Sequence, residues 1–285
     1  MQEILKQLPL RTNKPRENGL TMVMDKGLSL RQAEDFLTVN HNYIDIIKLG
    51  FGTSIITNDI VNKIKIYQEN GNLVYAGGTL FEVFAIRDQI DDYKRYLDRI
   101  GLQMVEISDG SMNIEHNLKC EIISDFSKDF KVISEVGCKD DSVHISEESW
   151  IKWMKNELSA GSWKVIAEGR ESGNAGVFNQ NGGIKNELIE KITSQIENNK
   201  ILWEAPNKDQ QVWFINKFGA NVNLGNINTN EVIPLECLRL GLRGDTFNNF
   251  LKEKQPLNQI ITPVSYTHLR AHETRGNLVC RLLLE

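Results

Sequence analysis

Short apolar segments alternate with longer amphipathic segments along most of this chain, and the alternation limits the fold more than any other feature. Eight segments have the β-branched or apolar composition of buried strands, and a helix-like stretch follows each one. The predicted strands are 20–25, 43–49, 72–77, 103–108, 131–136, 163–168, 200–204 and 221–225. Eight strand–helix units at this spacing predict an α/β fold, a single-domain (β/α)₈ TIM barrel.

A doubly wound open sheet is the competing architecture. It would need a glycine-rich turn directly after its first strand, and the GxGxxG pattern is absent. We therefore divide the chain into an N-terminal extension (1–19), the barrel (20–250) and a C-terminal tail (251–285). Residues 264–285 resemble a translated cloning or adaptor sequence, so we expect that part of the tail to be foreign or disordered.

Composition narrows the class of protein. Hydrophobic residues make up 40% of the 285 residues, charged residues 25%, and the net charge is −5, which disfavours a nucleic-acid partner. No apolar run approaches the roughly 20 residues that span a bilayer, and the N-terminus lacks the apolar core of a secretory signal. The four cysteines form no CxxC pair. We expect a cytoplasmic protein without a membrane or nucleic-acid partner.

Four of the predicted strands end in a glutamate. They are the fourth to the seventh strand, and the residues are Glu106, Glu135, Glu168 and Glu204. A buried carboxylate is costly unless it is paired or bound to a metal. Because the carboxyl ends of the strands of a barrel converge on one face, the glutamates predict a polar site there.

Cationic and small polar residues follow the same strand ends. Lys26, Lys48, Lys139 and Arg170 could hold a multiply anionic substrate, while the carboxylates could hold a divalent cation, for which Mg²⁺ suits a set of oxygen ligands. The glycine-rich turns 50–54 and 77–79 offer backbone N–H groups to a phosphate. No histidine stands at a predicted strand end, and no GxSxG or Walker motif occurs, which disfavours a histidine-dependent relay.

Several segments, which together span roughly residues 8–250, resemble the phosphosulfolactate synthase family. They are KPRENGLTMVMDKGLS (14–29), DIIKLGFGTS (45–54), YAGGTLFE (75–82), VEISDGS (105–111), SEVGCKD (134–140), VIAEGRESG (165–173), WEAPNKDQQ (203–211), and ANVNLGNI with PLECLRLGLRGDT (220–246). Proteins associated with heat stress in plants belong to the same superfamily, and their chemistry is less clear.

The resemblance implies a Mg²⁺-dependent carbon–sulfur lyase that adds sulfite to phosphoenolpyruvate and forms (2R)-2-phospho-3-sulfolactate, in a route to coenzyme M or to sulfolactate. It also implies that Lys139 is the general acid. We assign catalytic roles to Lys139 and Glu168. We assign metal binding to Glu106, Asp109, Glu135 and Glu204. The residues assigned to substrate binding are Lys26, Lys48, Gly78, Thr79, Ser108, Arg170, Ser172 and Asn223.

Two alternatives remain open at this stage. One is another barrel lyase or aldolase acting on a phosphorylated keto acid, with Lys48 or Lys139 forming a Schiff base. The other is a non-catalytic, stress-associated barrel protein, which would be expected to have lost the polar residues at its strand ends. If the protein is an enzyme, whether the sulfite-adding lyase or the aldolase, we expect small-molecule substrates and a homo-oligomer.

Overall fold

All eight predicted strands form in the computed structural model, which describes residues 4–112, 114–137 and 145–251. The strands are β1 (Thr21–Asp25), β2 (Ile46–Leu49), β3 (Leu73–Ala76), β4 (Met104–Ile107), β5 (Lys131–Val136), β6 (Lys164–Ala167), β7 (Ile201–Glu204) and β8 (Leu224–Asn228). Every ladder is parallel, and the sheet order is β3-β2-β1-β8-β7-β6-β5-β4. This nearly closed sheet confirms the predicted (β/α)₈ barrel.

Helices connect successive strands on the outside of the sheet. They are α1 (Leu30–Asn40), α2 (Thr53–Ile56), α3 (Ile60–Glu69), α4 (Gly78–Ala85), α5 (Ile90–Ile100), α6 (His116–Phe126), α7 (Glu147–Ala160), α8 (Asn186–Thr193), α9 (Lys208–Phe218) and α10 (Val232–Arg239), with 3₁₀ turns at Asn198–Lys200 and Thr229–Glu231. Local sequence explains their ends. Ser29 caps α1 in a capping box with Gln32, for example, and Gly101 ends α5 in the left-handed conformation. Among the described residues, no helix combines the length and apolar character needed to cross a membrane.

The core has two parts. The larger one packs the outward faces of the strands against the helices. The smaller one fills the inside of the barrel and consists of Leu20, Met22, Ile46, Tyr75, Met104, Ile133, Ile166 and Leu202. Since side chains alternate between the two faces of a strand, the residue two positions further along points the same way. This places Lys48 above Ile46 and Glu106 above Met104, so a polar layer lies on an apolar one.

The last strand begins three residues later than predicted, and this moves Asn223 to the amino-terminal base of the barrel. The Asn223 side chain accepts a hydrogen bond from the Leu20 N–H (3.1 Å) and donates to the Ile201 carbonyl (3.0 Å). The buried Arg239 guanidinium supports the same end by donating to the carbonyls of Ala220 and Val222, both at 2.7 Å. These long-range contacts fix the start of β8, and the local apolar pattern does not reveal them.

Contacts divide the chain into a compact unit, Met1–Phe250, and a second unit, Leu251–Glu285. In the first unit, Arg11 binds Glu236 with 2.9 Å between Nε and Oε1, so the segment predicted to be an extension contacts α10. Of the second unit only Leu251 is described, so the predicted foreign segment, 264–285, lies outside the described residues.

Candidate active site

A cavity of about 190 Å³ opens at the carboxyl ends of the strands. Its lining combines carboxylates, a lysine, an arginine, an amide and glycine backbone. The residues are Met24, Lys48, Phe51, Gly77, Gly78, Thr79, Glu106, Ser111, Glu135, Glu168, Arg170, Glu171, Glu204 and Asn226. The four strand-end glutamates therefore do meet on one face, as the sequence predicts.

Lys48 lies among three of these glutamates. Its Nζ is 3.1 Å from Glu106 Oε2, 3.4 Å from Glu204 Oε1 and 3.8 Å from Glu135 Oε2. The lysine is 7% exposed, so solvent screens these interactions weakly. One ammonium group thus neutralises part of the negative charge that the glutamates bring into the barrel.

The cavity also contains a cluster of three carboxylates, which belong to Glu135, Glu168 and Glu204. One oxygen from each lies within 4.8 Å of the others, and all three side chains are buried. Three convergent carboxylate oxygens form a donor set suited to a hard divalent cation such as Mg²⁺. The geometry of this trio therefore fits a cation, whereas Glu106 is turned toward Lys48 and is not part of it.

Burial and charge shift the acid–base properties of the site. Burial alone would lower the pKa of Lys48, but the surrounding carboxylates, Glu106 most of all, raise it well above the ordinary lysine value. Burial raises the pKa of Glu204 to about 7; Lys48 opposes this shift and Glu135 adds to it. Lys48 is therefore a fixed cation, and Glu204 exchanges its proton near neutral pH.

Backbone N–H groups orient the carboxylates. The Gly78 N–H, at the start of α4, donates to Glu106 Oε1 at 2.9 Å. The Gly169 N–H donates to Glu204 Oε2 at 3.0 Å, and the Arg170 N–H donates to Glu168 Oε1 at 2.7 Å. Such bonds stabilise the ionised carboxylates and hold their second oxygens toward the cavity.

The structure brings most of the predicted site residues together. Those that line the cavity are Lys48, Gly78, Thr79, Glu106, Glu135, Glu168, Arg170 and Glu204. Lys26 lies at the rim, where it pairs with Glu171. Lys139 lies outside the described residues.

Four predicted residues lie elsewhere. Ser108 is buried beside the cavity and donates to Glu82 Oε1 at 2.8 Å. Ser172 bonds to Asn174 on the surface, and Asn223 is at the opposite end of the barrel. Asp109 follows the same strand as Glu106 but accepts from Lys119 at 2.8 Å and lines a separate cavity of about 590 Å³.

Lys119 explains the position of Asp109. It is fully buried, pairs with Glu157 at 2.8 Å as well as with Asp109, and donates to the Glu135 carbonyl at 2.6 Å. The carboxylate of Asp109 therefore neutralises a buried lysine outside the Glu135–Glu168–Glu204 trio. Helix periodicity places Lys119 on the inward face of α6, but the sequence alone does not identify its partners.

Six lining residues were given no role from the sequence: Met24, Phe51, Gly77, Ser111, Glu171 and Asn226. Two of these six have an unusual backbone conformation. Phe51 and Asn226 both have positive φ, 48° and 56°. Phe51 stands in the glycine-rich turn 50–54, so its neighbourhood was predicted although the residue was not. A positive φ at Asn226 has no sequence signature beyond the tolerance of asparagine for this conformation.

Comparison with known proteins identifies the family of this barrel. The model of the (2R)-phospho-3-sulfolactate synthase family matches residues 9–245. The chain belongs to the phosphosulfolactate synthase family. It is 40% identical over 250 residues to phosphosulfolactate synthase from Bacillus subtilis, covering 87% of this chain and 99% of that one. It is 44% identical over 238 residues to the Methanocaldococcus jannaschii enzyme, covering 81% and 94%.

Solved structures agree with the fold. The aldolase YdjI from Escherichia coli K12 has a TM-score of 0.50 at 7% identity, covering 75% of this chain and 76% of the other. Fructose-bisphosphate aldolase from Campylobacter jejuni has a TM-score of 0.50 at 13% identity, covering 75% and 72%. At these identities the likeness extends to the barrel alone. The family predicted from sequence is confirmed, and it is a family of enzymes.

Proposed function

We propose that this protein adds sulfite to phosphoenolpyruvate in a Mg²⁺-dependent reaction and forms (2R)-2-phospho-3-sulfolactate. The observation that carries the proposal is the cavity in which a buried ammonium, Lys48, stands beside three carboxylates that converge within 4.8 Å. Membership of the phosphosulfolactate synthase family supports the same reaction. The product would enter coenzyme M biosynthesis or sulfolactate production.

Glu135, Glu168 and Glu204 are the residues that would hold Mg²⁺. Their buried carboxylates converge beside Lys48, and burial, to which Glu135 adds, raises the pKa of Glu204. When bound, the cation would supply stabilisation for the negative charge that develops on the substrate carboxylate. Glu106, which is held by Lys48 and by the Gly78 N–H, would keep the ammonium in place.

The chemical step conserves all atoms of both substrates. The sulfite sulfur forms a bond to C3 of phosphoenolpyruvate, the C2–C3 π electrons move toward the carboxylate, and a proton is added at C2 while the phosphate ester stays intact. Sulfite is a strong nucleophile and needs no general base, which agrees with the absence of histidine from the cavity lining in the described part of the chain. We propose Lys139 as the proton donor; it follows the carboxyl end of β5 by three residues.

The substrates repel each other, so cations must gather them. Lys48 and Arg170 line the cavity, and Lys26 lies at its rim. We propose that these three groups, with Thr79 at the start of α4, bind the phosphate, carboxylate and sulfite charges. Holding the reactants in contact removes much of the entropic barrier to a bimolecular addition.

A Schiff-base aldolase is the second candidate among enzymes, and the state of Lys48 argues against it. An amine that attacks a carbonyl group must be deprotonated, and enzymes achieve this by lowering the lysine pKa. The carboxylates around Lys48 raise its pKa instead. Borohydride treatment with a keto-acid phosphate should therefore leave Lys48 unmodified, and trapping of a covalent adduct on Lys48 or Lys139 would favour the aldolase.

The direct test mixes purified protein with phosphoenolpyruvate, sulfite and Mg²⁺ and follows the product by ³¹P NMR and mass spectrometry. We expect product only when all components are present, and loss of product with EDTA. A folded protein that forms no product would exclude the proposed reaction. Lys139→Ala should remove most turnover while phosphoenolpyruvate still binds. The matched control is Lys128→Ala, because Lys128 is an exposed lysine of the α6–β5 connection.

We further propose that the enzyme is a cytoplasmic homo-oligomer without a nucleic-acid partner. The net charge of −5 supports the last point, because nucleic-acid binding relies on clustered positive charge. Light scattering during size-exclusion chromatography would give the oligomeric state, and a monomeric mass would refute the oligomer.

A further inference from the structure

The pairing of β8 with β1 shifts register by one residue within the ladder. In the β1–β8 ladder, Thr21 pairs with Leu224, but Val23 pairs with Ile227. One residue of β1, Met22, is therefore opposed by two residues of β8, Gly225 and Asn226. This is a β-bulge, a feature that re-aims side chains and is frequent beside active sites.

The bulge changes the face on which Asn226 lies. Leu224 and Ile227 both pack in the outer core, under the helices. Gly225 faces the barrel interior, since a Cβ there would be 2.7 Å from Met22 Cε. Regular alternation would then turn Asn226 outward, but its side chain lines the cavity at the barrel mouth. The extra residue in β8 therefore places the Asn226 amide at the cavity.

The backbone at Asn226 adopts a conformation that residues other than glycine seldom adopt. Its φ is 56°, in the left-handed region. Of the six non-glycine residues with positive φ in the described chain, three (Phe51, Arg170 and Asn226) line this one cavity. Strained backbone concentrates where a protein positions groups for ligands.

The amide carbonyl oxygen of Asn226 also has no hydrogen-bond partner in the described part of the chain. The residue is 7% exposed, and its Oδ1 is buried with no hydrogen bond to any described residue. Its backbone N–H is 3.4 Å from Met22 Sδ, a weak acceptor. A buried, unpaired amide carbonyl is costly, so a ligand is expected to satisfy it.

We propose that Asn226 is a further binding residue of this site, whose amide bridges the divalent cation and an oxyanion of the substrate. The inference rests on the proposed function. Phosphoenolpyruvate and sulfite offer only acceptors when fully ionised, so they can satisfy Nδ2 but not Oδ1. A cation satisfies Oδ1, because amide carbonyl oxygens are ordinary ligands of hard divalent cations. One side chain would thus fix the position of the substrate relative to the cation.

Binding measurements without sulfite test this role apart from turnover. Mn²⁺ serves as a probe of the cation site, and its affinity is measured by electron paramagnetic resonance. The affinity for phosphoenolpyruvate in the presence of Mg²⁺ is measured by calorimetry. Asn226→Gly removes the amide but permits the same φ, so the protein should stay folded. Both affinities should fall at least about tenfold, because each ligand loses one strong hydrogen bond or coordinating atom. Asn226→Asp keeps an oxygen ligand and removes the donor, so Mn²⁺ binding should persist while phosphoenolpyruvate binding weakens.

The matched control is Asp88→Gly, since Asp88 has the same φ of 56° and does not line the cavity. It should bind both ligands as the unmodified protein does. If Asn226→Gly binds both ligands normally, or loses only one of them, the bridging role is wrong. If the unmodified protein itself binds neither Mn²⁺ nor phosphoenolpyruvate, the proposed function fails instead, so the two failures can be told apart.

Discussion

Lys48 Nζ lies 3.1 Å from Glu106 Oε2 inside the barrel, and both side chains are almost completely buried. The Gly78 N–H holds the other oxygen of this glutamate at 2.9 Å. A pair fixed in this way positions a charge for ligand binding, but it has a high desolvation cost. Each member therefore compensates the buried charge of the other.

Removal of the Lys48 charge alone should destabilise the protein more than removal of the Lys48 and Glu106 charges together. Lys48→Met leaves Glu106 without its cation, and we expect a loss of about 3–5 kcal/mol in the free energy of unfolding measured with urea. The double variant Lys48→Met/Glu106→Gln should recover part of that loss. The control Lys65→Met changes an exposed lysine of α3 and should have little effect. Equal stability of Lys48→Met and the unmodified protein would contradict the coupling.

Stability should fall as the pH rises through the titration range of Glu204. Its pKa is raised from 4.5 to about 7 by burial, so the folded state binds more protons than the unfolded state between these values. The stability that Glu204 contributes is fully present below about pH 4.5 and is lost by about pH 7. This loss lowers the free energy of unfolding by roughly 3 kcal/mol. Urea unfolding across this range without divalent cations measures it.

Glu204→Gln should flatten this pH dependence, because an amide carries no proton to lose. Glu121→Gln, which alters an exposed carboxylate on α6, should keep the slope of the unmodified protein. If the slope survives in Glu204→Gln, another group is responsible for it.

Added Mg²⁺ should stabilise the protein and compete with the Glu204 proton. A ligand that binds only the folded state at 100 times its Kd contributes about 2.7 kcal/mol, which raises Tm in a thermal unfolding experiment. Affinity should decrease below about pH 7, and calorimetry in buffers of different ionisation enthalpy should detect proton release on binding. Glu135→Gln should lose most of the rise in Tm, and a full rise in that variant would exclude Glu135 as a ligand.

A methyl group at Gly78 should disrupt the site. A Cβ there would overlap Ser108 Oγ and Glu106 Oε1, which are both buried. We expect Gly78→Ala to cost about 1–3 kcal/mol of stability and to reduce turnover strongly, since Glu106 must move. Gly52→Ala is the control, because its Cβ would meet only Leu80 Cδ1 at 3.8 Å. Comparable activity and stability of the two variants would show that the packing around Gly78 is not critical.

Much of the barrel and the four-glutamate site could be predicted because the underlying pattern is local. The apolar strand residue Met104 and the glutamate at Glu106 are two positions apart, as are Leu202 and Glu204. A period of two sends both members of each pair into the barrel interior whatever the rest of the chain does. The family resemblance rested on the same segments, and the family match confirms it.

Tertiary structure decided the positions that depend on distant partners. Asp109 is held by Lys119, Ser108 is turned to Glu82, and Asn223 joins strands at the base of the barrel. Asn226 reaches the cavity because β8 gains a residue against β1. Alternation along a strand is set by neighbouring residues and can be read from the sequence. Ion pairs and register shifts arise between segments far apart in the chain, so only the folded barrel determines them.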